Sequence, residues 1–190
     1  MSVVQEAFAD KEIVQMSGYQ FVINPLTEQI PCTTAELLQE VTKEIAAKIP
    51  KETTKLLTEE EKGAILVAAT SLATKIPFGL ARWTANGLVD QISVPFEMEY
   101  TRGTLYLNGV EKKDKVTIIE DMVSTGGTLV ALIQAVEKAG AIIVKIITVA
   151  EKINYGGRER IKKQTGYDID ALVHLDVSGK KVRIIPGVKQ

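Results

Sequence analysis

Two nearly continuous runs of β-branched residues constrain the fold of this chain more than any other feature. Residues 142–144 and 146–147 are all Ile or Val, so both faces of an extended backbone are apolar there. Such runs are typical of strands that are covered on both sides. Helical patterns at 63–74 and 127–139 alternate with strand patterns along the chain. The alternation predicts an α/β fold with a doubly wound, mainly parallel sheet flanked by helices, whose ligands lie beyond the carboxyl ends of the strands.

Length and charge narrow the class of protein. The 190 residues fit one domain spanning 1–190. With 23 basic and 24 acidic side chains, the net charge is −1, and the lack of a broad basic field argues against a nucleic-acid partner. No apolar run approaches the roughly 18 residues of a membrane span, so no membrane partner is expected. Residues 1–10 contain acids and no long apolar run, so they do not resemble a signal peptide, and a cytoplasmic location is predicted.

The sequence contains one cysteine and one histidine, and these low counts exclude several kinds of site. Cys32 is the only cysteine, which rules out an intrachain disulfide and a thiolate metal cluster. His174 is the only histidine, which rules out multi-histidine zinc sites and makes a histidine-activated nucleophile improbable. His174 is expected to be structural. The chemistry must therefore come from carboxylates, hydroxyls, amides and basic side chains.

The segment 116–128 combines the features of a phosphate site. An apolar strand pattern ends in Glu120 and Asp121, a Ser-Thr-Gly-Gly-Thr turn follows at 124–128, and a helix begins at once. Glycines allow a tight turn whose amides approach an anion, and the helix N-terminus adds partial positive charge. The two carboxylates can accept hydrogen bonds from a pair of ribose hydroxyls. A plain strand–turn–helix with capping hydroxyls is the alternative, but the ordered combination favours phosphate binding.

This segment resembles the signature of type I phosphoribosyltransferases that binds 5-phosphoribosyl-1-pyrophosphate (PRPP). Residues 21–31 and 104–112 resemble archaeal purine enzymes of the hypoxanthine/guanine type, and 150–158 also resembles adenine and xanthine enzymes. The resemblance implies the type I phosphoribosyltransferase fold. It also implies a small N-terminal hood, formed mainly by 18–31, that covers the base.

The resemblance further implies an activity. The enzyme is expected to transfer 5-phosphoribose from PRPP to a purine in purine salvage, giving the nucleoside monophosphate and pyrophosphate. Hypoxanthine or guanine is favoured, and adenine and xanthine stay open. Mg²⁺ is the expected cofactor, held mainly by PRPP oxygens and water with no direct protein ligand. A homodimer is also implied.

Roles at the sugar and phosphate follow from the same resemblance. Glu120 and Asp121 are expected to hold the ribose hydroxyls, and Asp121 is also expected to be catalytic. The residues expected to wrap the 5-phosphate are Ser124, Thr125, Gly126, Gly127 and Thr128. The polar segment 84–103 is predicted to be a long mobile loop, in which Glu99 assists proton movement on the base. A solvated loop carboxylate is the alternative for Glu99.

Pyrophosphate and base contacts are expected from four other segments. Lys62 and Arg82 are the candidate pyrophosphate ligands. The candidate base contacts are Phe21, Val22, Ile23 and Lys152; plain core packing is the alternative for each of the first three. A lysine at position 152 could donate to a purine O6, which favours a 6-oxopurine; a surface lysine is the alternative.

Two departures from the family pattern weaken the enzyme hypothesis. Three consecutive acids at 59–61 occupy the pyrophosphate-loop position and would repel that anion unless Mg²⁺ or Lys62 compensates. Trp83 stands where relatives often carry a basic residue. A catalytically weak PRPP-sensing regulator on the same fold is therefore the main alternative. An enzyme for another base, such as orotate or uracil, is a third hypothesis.

Overall fold

The computed structural model of the chain describes residues 1–16, 18–97 and 102–186. The helices are α1 (Val3–Glu6), α2 (Ala35–Ala46), α3 (Gly63–Thr74), α4 (Gly127–Lys138) and α5 (Gly157–Thr165). The strands are β1 (Ile13–Met16), β2 (Tyr19–Val22), β3 (Lys55–Glu59), β4 (Phe78–Ala81), β5 (Ile92–Glu97), β6 (Arg102–Leu107), β7 (Lys115–Val123), β8 (Ile142–Lys152), β9 (Asp170–Asp176) and β10 (Arg183–Ile184). A 3₁₀ turn (Ile153–Tyr155) joins β8 to the segment before α5.

The central sheet has six strands in the order β10-β9-β8-β7-β3-β4. Its pairs are parallel except for β10, which runs antiparallel to β9. The predicted doubly wound, mainly parallel sheet is confirmed. β9 is not an edge strand, because β10 covers its outer side.

Two apolar layers cover this sheet. One face packs against α1, α2 and α3, and the other packs against α4, α5 and the β5–β6 hairpin. Adjacent residues on a strand alternate between the layers, as Leu56 and Leu57 do on β3 and Ile118 and Ile119 do on β7. All four are fully buried, which explains why the sequence of these strands is apolar at consecutive positions.

Part of the predicted long loop at 84–103 is a strand. Residues 92–97 form β5, which pairs antiparallel with β6 in the register Ile92↔Leu107 to Glu97↔Arg102. Pairing with a later strand, rather than the local polar composition, sets the conformation of this segment. Glu99, the predicted proton carrier, lies outside the described residues.

Two neighbouring threonines have different roles at the start of α2. Thr34 is the N-cap, and its hydroxyl accepts a hydrogen bond from the amide of Leu37. Thr33 donates its hydroxyl hydrogen to the carbonyl of Pro25 at 2.5 Å. Among the described residues, no helix has both the length and the apolar character that crossing a membrane requires.

Candidate active site

The main candidate site is a cleft where the strand order of the sheet reverses. From β3 the chain continues outward to β4, whereas β7, β8 and β9 build the sheet in the other direction. Ligands of parallel sheets bind at such a switch, beyond the carboxyl ends of the two strands. The cleft encloses about 690 Å³ of space that is open to solvent. Its walls are formed by Gln20, Phe21, Val22, Thr27, Glu28, Glu59, Glu61, Lys62, Trp83, Glu120, Asp121, Met122, Ser124, Thr128 and Lys152.

The predicted phosphate loop has the geometry of an anion site. Gly126 adopts the left-handed conformation, with a φ of 77°, and α4 begins directly after it. No side chain of the described residues caps this helix, so the first amides of α4 keep their hydrogens available for a ligand. Of the predicted phosphate ligands, Ser124 and Thr128 line the cleft with their side chains; Thr125, Gly126 and Gly127 contribute the turn between them.

The phosphate loop is backed by the N-terminus of α5. A β-carbon added to Gly157 would lie 2.1 Å from the carbonyl oxygen of Ser124, and one added to Gly126 would lie 2.8 Å from the carbonyl oxygen of Gly157. Both distances are far below van der Waals contact, so two backbones touch here without an intervening side chain. Because Gly126 and Gly157 have no side chains, the two backbones can make this close contact, which fixes the position of the loop.

The two carboxyl groups at the end of β7 are buried and share their environment. Glu120 is 3% and Asp121 8% exposed. Burial raises the pKa of Glu120 strongly, and the carboxylates of Asp121 and Glu59 raise it further. Burial also raises the pKa of Asp121, although the ammonium of Lys62 opposes that effect. Among the described residues, no group bonds to Glu120 Oε2. The structure thus places an unsatisfied acceptor beside the phosphate loop.

The sequence predicts that the acids at 59–61 repel pyrophosphate, but Glu59 and Glu60 instead accept hydrogen bonds from protein groups. Glu59 Oε2 accepts a hydrogen bond from the amide of Glu61 at 2.6 Å, and its Oε1 accepts one from the amide of Gly63 at 3.2 Å. Burial raises the pKa of Glu59, while the two amides lower it. Glu60 accepts hydrogen bonds from Trp83 N at 2.9 Å and from Arg82 Nη1 at 3.0 Å. Glu61 also lies on the cleft wall, but its carboxylate accepts no such hydrogen bond from the described residues.

Both predicted pyrophosphate cations are paired with carboxylates. Lys62 Nζ lies 2.5 Å from Glu28 Oε1, which connects the pyrophosphate loop to the hood. Arg82 forms its ion pair with Glu60 and is not part of the cleft wall, unlike its neighbour Trp83. The structure therefore brings Lys62, but not Arg82, to the predicted pyrophosphate position.

The indole of Trp83 joins the cleft to the β5–β6 hairpin. Its ring centroid lies 4.5 Å from that of Phe96 on β5, at an interplanar angle of 54°. The preceding backbone bridges to β6, because Arg82 and Tyr106 exchange two backbone hydrogen bonds. The departure at position 83 thus supplies apolar packing where relatives often have charge.

The hood is a β1–β2 hairpin followed by a tight turn. Asn24 is fully buried, and its Oδ1 accepts hydrogen bonds from the amides of Leu26 and Thr27. This turn brings Thr27 and Glu28 to the cleft. Because β1 starts at Ile13, the hairpin begins before the predicted hood segment of 18–31.

The predicted base contacts divide into two groups. Phe21, Val22 and Lys152 line the cleft, whereas Ile23 lies outside its wall and donates its amide to the carbonyl of Glu12. The prediction for Ile23 is therefore not supported by its position. Lys152 is only 6% exposed, so the alternative of a surface lysine is wrong.

Lys152 is held at the hood. Its Nζ donates to the carbonyl of Gln20 at 2.6 Å and lies 5.3 Å from the ring centroid of Tyr155. The Tyr155 hydroxyl in turn donates to Gln20 Oε1 at 3.2 Å. An ammonium group has three donor hydrogens, so a purine oxygen in the cleft can join or replace a protein acceptor.

Sequence reasoning missed several residues of the cleft. The cleft-wall residues that it did not name as ligands are Gln20, Thr27, Glu28, Glu59, Glu61, Trp83 and Met122. Asn24-Pro25 signals the turn that carries Thr27, but no sequence pattern indicates which carboxylate will bind a neighbouring amide or cation. Those partners depend on tertiary contacts.

A family model described as "Phosphoribosyl transferase domain" matches residues 34–178. This match covers the sheet strands from β3 to β9 and the cleft-wall residues from Glu59 to Lys152, but not the hood residues at 20–28. The chain belongs to the phosphoribosyltransferase family. The hypoxanthine/guanine phosphoribosyltransferase of Methanothermococcus okinawensis is 40% identical over 185 residues, covering 97% of this chain and 100% of the relative. That of Methanococcus voltae is 39% identical over 183 residues, covering 96% and 97%.

Solved phosphoribosyltransferases share the fold. Adenine phosphoribosyltransferase from Thermoanaerobacter pseudethanolicus superposes with a TM-score of 0.77 at 21% identity, covering 91% of this chain and 99% of that protein. The family assignment makes the chain an enzyme, and the predicted resemblance is confirmed. The comparisons give no support to the alternative of a regulatory protein on this fold.

Proposed function

We propose that this phosphoribosyltransferase transfers 5-phosphoribose from PRPP to a 6-oxopurine, hypoxanthine or guanine, in purine salvage. The observation that carries the proposal is the buried Glu120–Asp121 pair, placed directly before an uncapped helix N-terminus on one wall of the cleft. Relatives named for hypoxanthine and guanine support the choice of base, because both bases carry an oxygen at C6. Lys152, on the hood side of the same cleft, is the cation suited to that oxygen.

The proposed reaction exchanges one bond at ribose C1 for another. The bond from C1 to the pyrophosphate oxygen breaks, a purine ring nitrogen bonds to C1, and that nitrogen loses its proton. Positive charge develops on the ribose while the first bond is breaking and the second is forming. Asp121 and Glu120 would accept hydrogen bonds from the ribose hydroxyls, and the amides and hydroxyls of 124–128 would hold the 5-phosphate. Positioning of the two reactants in one cleft supplies much of the acceleration.

Mg²⁺ fits the chemistry of this site. It prefers hard oxygen ligands and usually keeps several waters, so PRPP oxygens would provide most of its coordination. Glu120 Oε2, for which the described residues offer no hydrogen-bond partner, and the adjoining Asp121 are the carboxylates available nearby. When bound, the ion would neutralise charge on the pyrophosphate. The resemblance also predicts a homodimer in the cytoplasm, and both stay predictions.

Nucleotide formation from PRPP and Mg²⁺ with hypoxanthine, guanine, xanthine and adenine, read by chromatography, tests the proposed function. We expect rapid conversion of hypoxanthine or guanine and slow conversion of adenine. Adenine as the preferred base would overturn the 6-oxopurine assignment. No conversion of any base, with PRPP still bound, would contradict the proposed activity.

Replacing Lys152 with Met is expected to remove the preference for 6-oxopurines. Losing one buried charge-assisted hydrogen bond lowers kcat/KM for hypoxanthine by roughly 10- to 100-fold, whereas adenine, which has no O6, is affected less. The measurement is kcat/KM for both bases at saturating PRPP. Lys145→Met is the matched control, because Lys145 lies on the same strand but pairs with Asp170. An equal loss for both bases in Lys152→Met would contradict the assignment of O6 to this lysine.

Binding of PRPP is expected to release a proton. The raised pKa keeps Glu120 protonated in the free enzyme at pH values above the ordinary 4.5 of a glutamate. Ribose hydroxyls and Mg²⁺ both favour the ionised carboxylate, so binding lowers that pKa. Affinity for PRPP therefore rises with pH until the pH exceeds the raised pKa. By the same linkage, ionisation of buried Glu120 makes the free protein less stable as pH rises through that pKa.

Calorimetry in buffers of different ionisation enthalpy measures the number of protons released. Glu120→Gln is the control, because the amide keeps the shape of the side chain but cannot ionise. The phosphates of PRPP can also exchange protons on binding, so the difference between the two proteins is the quantity of interest. Equal proton release by both would show that Glu120 is already ionised in the free enzyme.

A further inference from the structure

A partly buried ion-pair cluster lies between the end of β8 and the start of α5. Arg158, the second residue of α5, donates from Nε to both oxygens of Glu151 at 3.1 Å and from Nη2 to Glu151 Oε2 at 2.7 Å. Its Nη1 donates to Asp168 Oδ1 at 2.7 Å and to the carbonyl of Ile169 at 2.8 Å. One guanidinium therefore ties the end of β8, the start of α5 and the segment before β9 together.

The residues next to Glu151 and Arg158 in the chain either line the cleft or support it. Glu151 directly precedes Lys152, the proposed base contact. Arg158 directly follows Gly157, whose α-carbon packs against the carbonyl of Ser124. The ion pair between Glu151 and Arg158 thus joins the two segments that position the purine and the 5-phosphate.

The cluster has few alternative partners. The side chains of Glu151 and Arg158 are 7% and 17% exposed. His174 Nε2 lies 3.5 Å from Glu151 Oε2, but burial and the charge of Arg158 lower the pKa of His174, so the imidazole does not add a second positive charge while Arg158 is present. Loss of Arg158 would leave a buried carboxylate beside Lys152 without its bidentate partner, and the segment around it would have to rearrange.

We propose that Arg158 is a positioning residue for PRPP, acting through Glu151 and Gly157 on the phosphate loop. The inference rests on the proposed binding of the 5-phosphate at 124–128. Arg158 itself does not line the cleft. Its effect is to hold the N-terminus of α5 against the loop, and to hold Lys152 at a fixed distance from it.

The test compares Arg158→Gln and Arg158→Lys with the unmodified enzyme. The measurements are kcat, KM for PRPP and the Kd of PRPP from the fluorescence of Trp83, the only tryptophan, which lines the cleft. Arg158→Gln is expected to raise both KM and Kd for PRPP by on the order of tenfold, with a smaller change in kcat. Arg158→Lys keeps the charge but not the bidentate geometry, so it should restore part of the affinity.

Lys55→Gln is the matched control. Lys55 and Asp114 form a comparable ion pair, with side chains 17% and 18% exposed, at the amino ends of β3 and β7 and thus at the opposite end of the sheet. Removing it is expected to lower thermal stability without changing KM for PRPP. An equal rise of KM in Lys55→Gln and Arg158→Gln would overturn the inference, because a general loss of stability would explain both.

The remaining outcomes separate this inference from the proposed phosphate site. Unchanged PRPP affinity in folded Arg158→Gln, with affinity lost in the double variant Ser124→Ala/Thr128→Val, overturns the positioning role alone. Unchanged affinity in the double variant overturns the phosphate site and the inference with it. Loss of affinity in both, with partial rescue by Arg158→Lys, is the expected result.

Discussion

Replacing Gly157 with Ala will lower kcat/KM for PRPP by about 100-fold. The new methyl carbon would lie 2.1 Å from the carbonyl oxygen of Ser124 and 2.9 Å from Cγ1 of Val123. Non-bonded heavy atoms rest at about 3.5 to 4.0 Å, so the phosphate loop or α5 must move by more than about 1 Å. A displacement of that size at a reacting centre costs on the order of 10²-fold.

Steady-state kinetics and PRPP binding measure this effect. Gly79→Ala is the matched control, because a β-carbon there meets Leu57 Cδ1 at an ordinary 3.5 Å. The control should keep normal affinity for PRPP. Normal kinetics in Gly157→Ala would mean that α5 can retreat without moving Ser124, and that the close backbone contact does not position the loop.

Replacing Asp121 with Asn is expected to lower kcat/KM for PRPP by on the order of tenfold or more. The substitution keeps the size of the side chain but loses a charge-assisted hydrogen bond to a ribose hydroxyl. It also removes a carboxylate that raises the pKa of Glu120, so Glu120 ionises at lower pH in the variant. The remaining carboxylate can therefore take over part of the role, which limits the loss.

The expected result is a loss in kcat and kcat/KM that persists at saturating PRPP, because charge on the ribose is greatest in the transition state. Asp114→Asn is the control. Asp114 directly precedes β7 and pairs with Lys55 at the opposite end of the sheet from the cleft. Near-normal kinetics in Asp121→Asn would show that the ribose hydroxyls bind elsewhere.

Patterns within the sequence were sufficient for the sheet and for one side of the site. The apolar strand of 116–119, the two acids after it and the glycine turn are local features, and the topology brings them to the cleft as predicted. Lys152 also lines the cleft, because it is the last residue of the buried strand β8. Each of these positions depends on residues that are neighbours along the chain.

The rest of the site depends on partners that are distant in sequence. The acids at 59–61 were predicted to repel pyrophosphate, yet Glu59 binds two amides of its own loop and Glu60 binds Arg82. Likewise, residues 92–97 lie inside the segment that was predicted to be a loop, yet they pair with β6. Composition alone does not reveal which acceptor meets which donor after folding.

The hood is attached to the sheet by residues near the other end of the described chain. Gln20 Nε2 donates to the carbonyl of Val177 at 3.0 Å, and Glu12 bridges to Lys181. The phosphate loop instead has its supports complete once α5 has formed and residues 168 and 169 have bound Arg158. During synthesis from the N-terminus, a chain emerging from the ribosome would therefore assemble its PRPP half first. We expect the purine pocket to form only after residues 177–182 have been released, so nascent chains of intermediate length should bind PRPP but not purine.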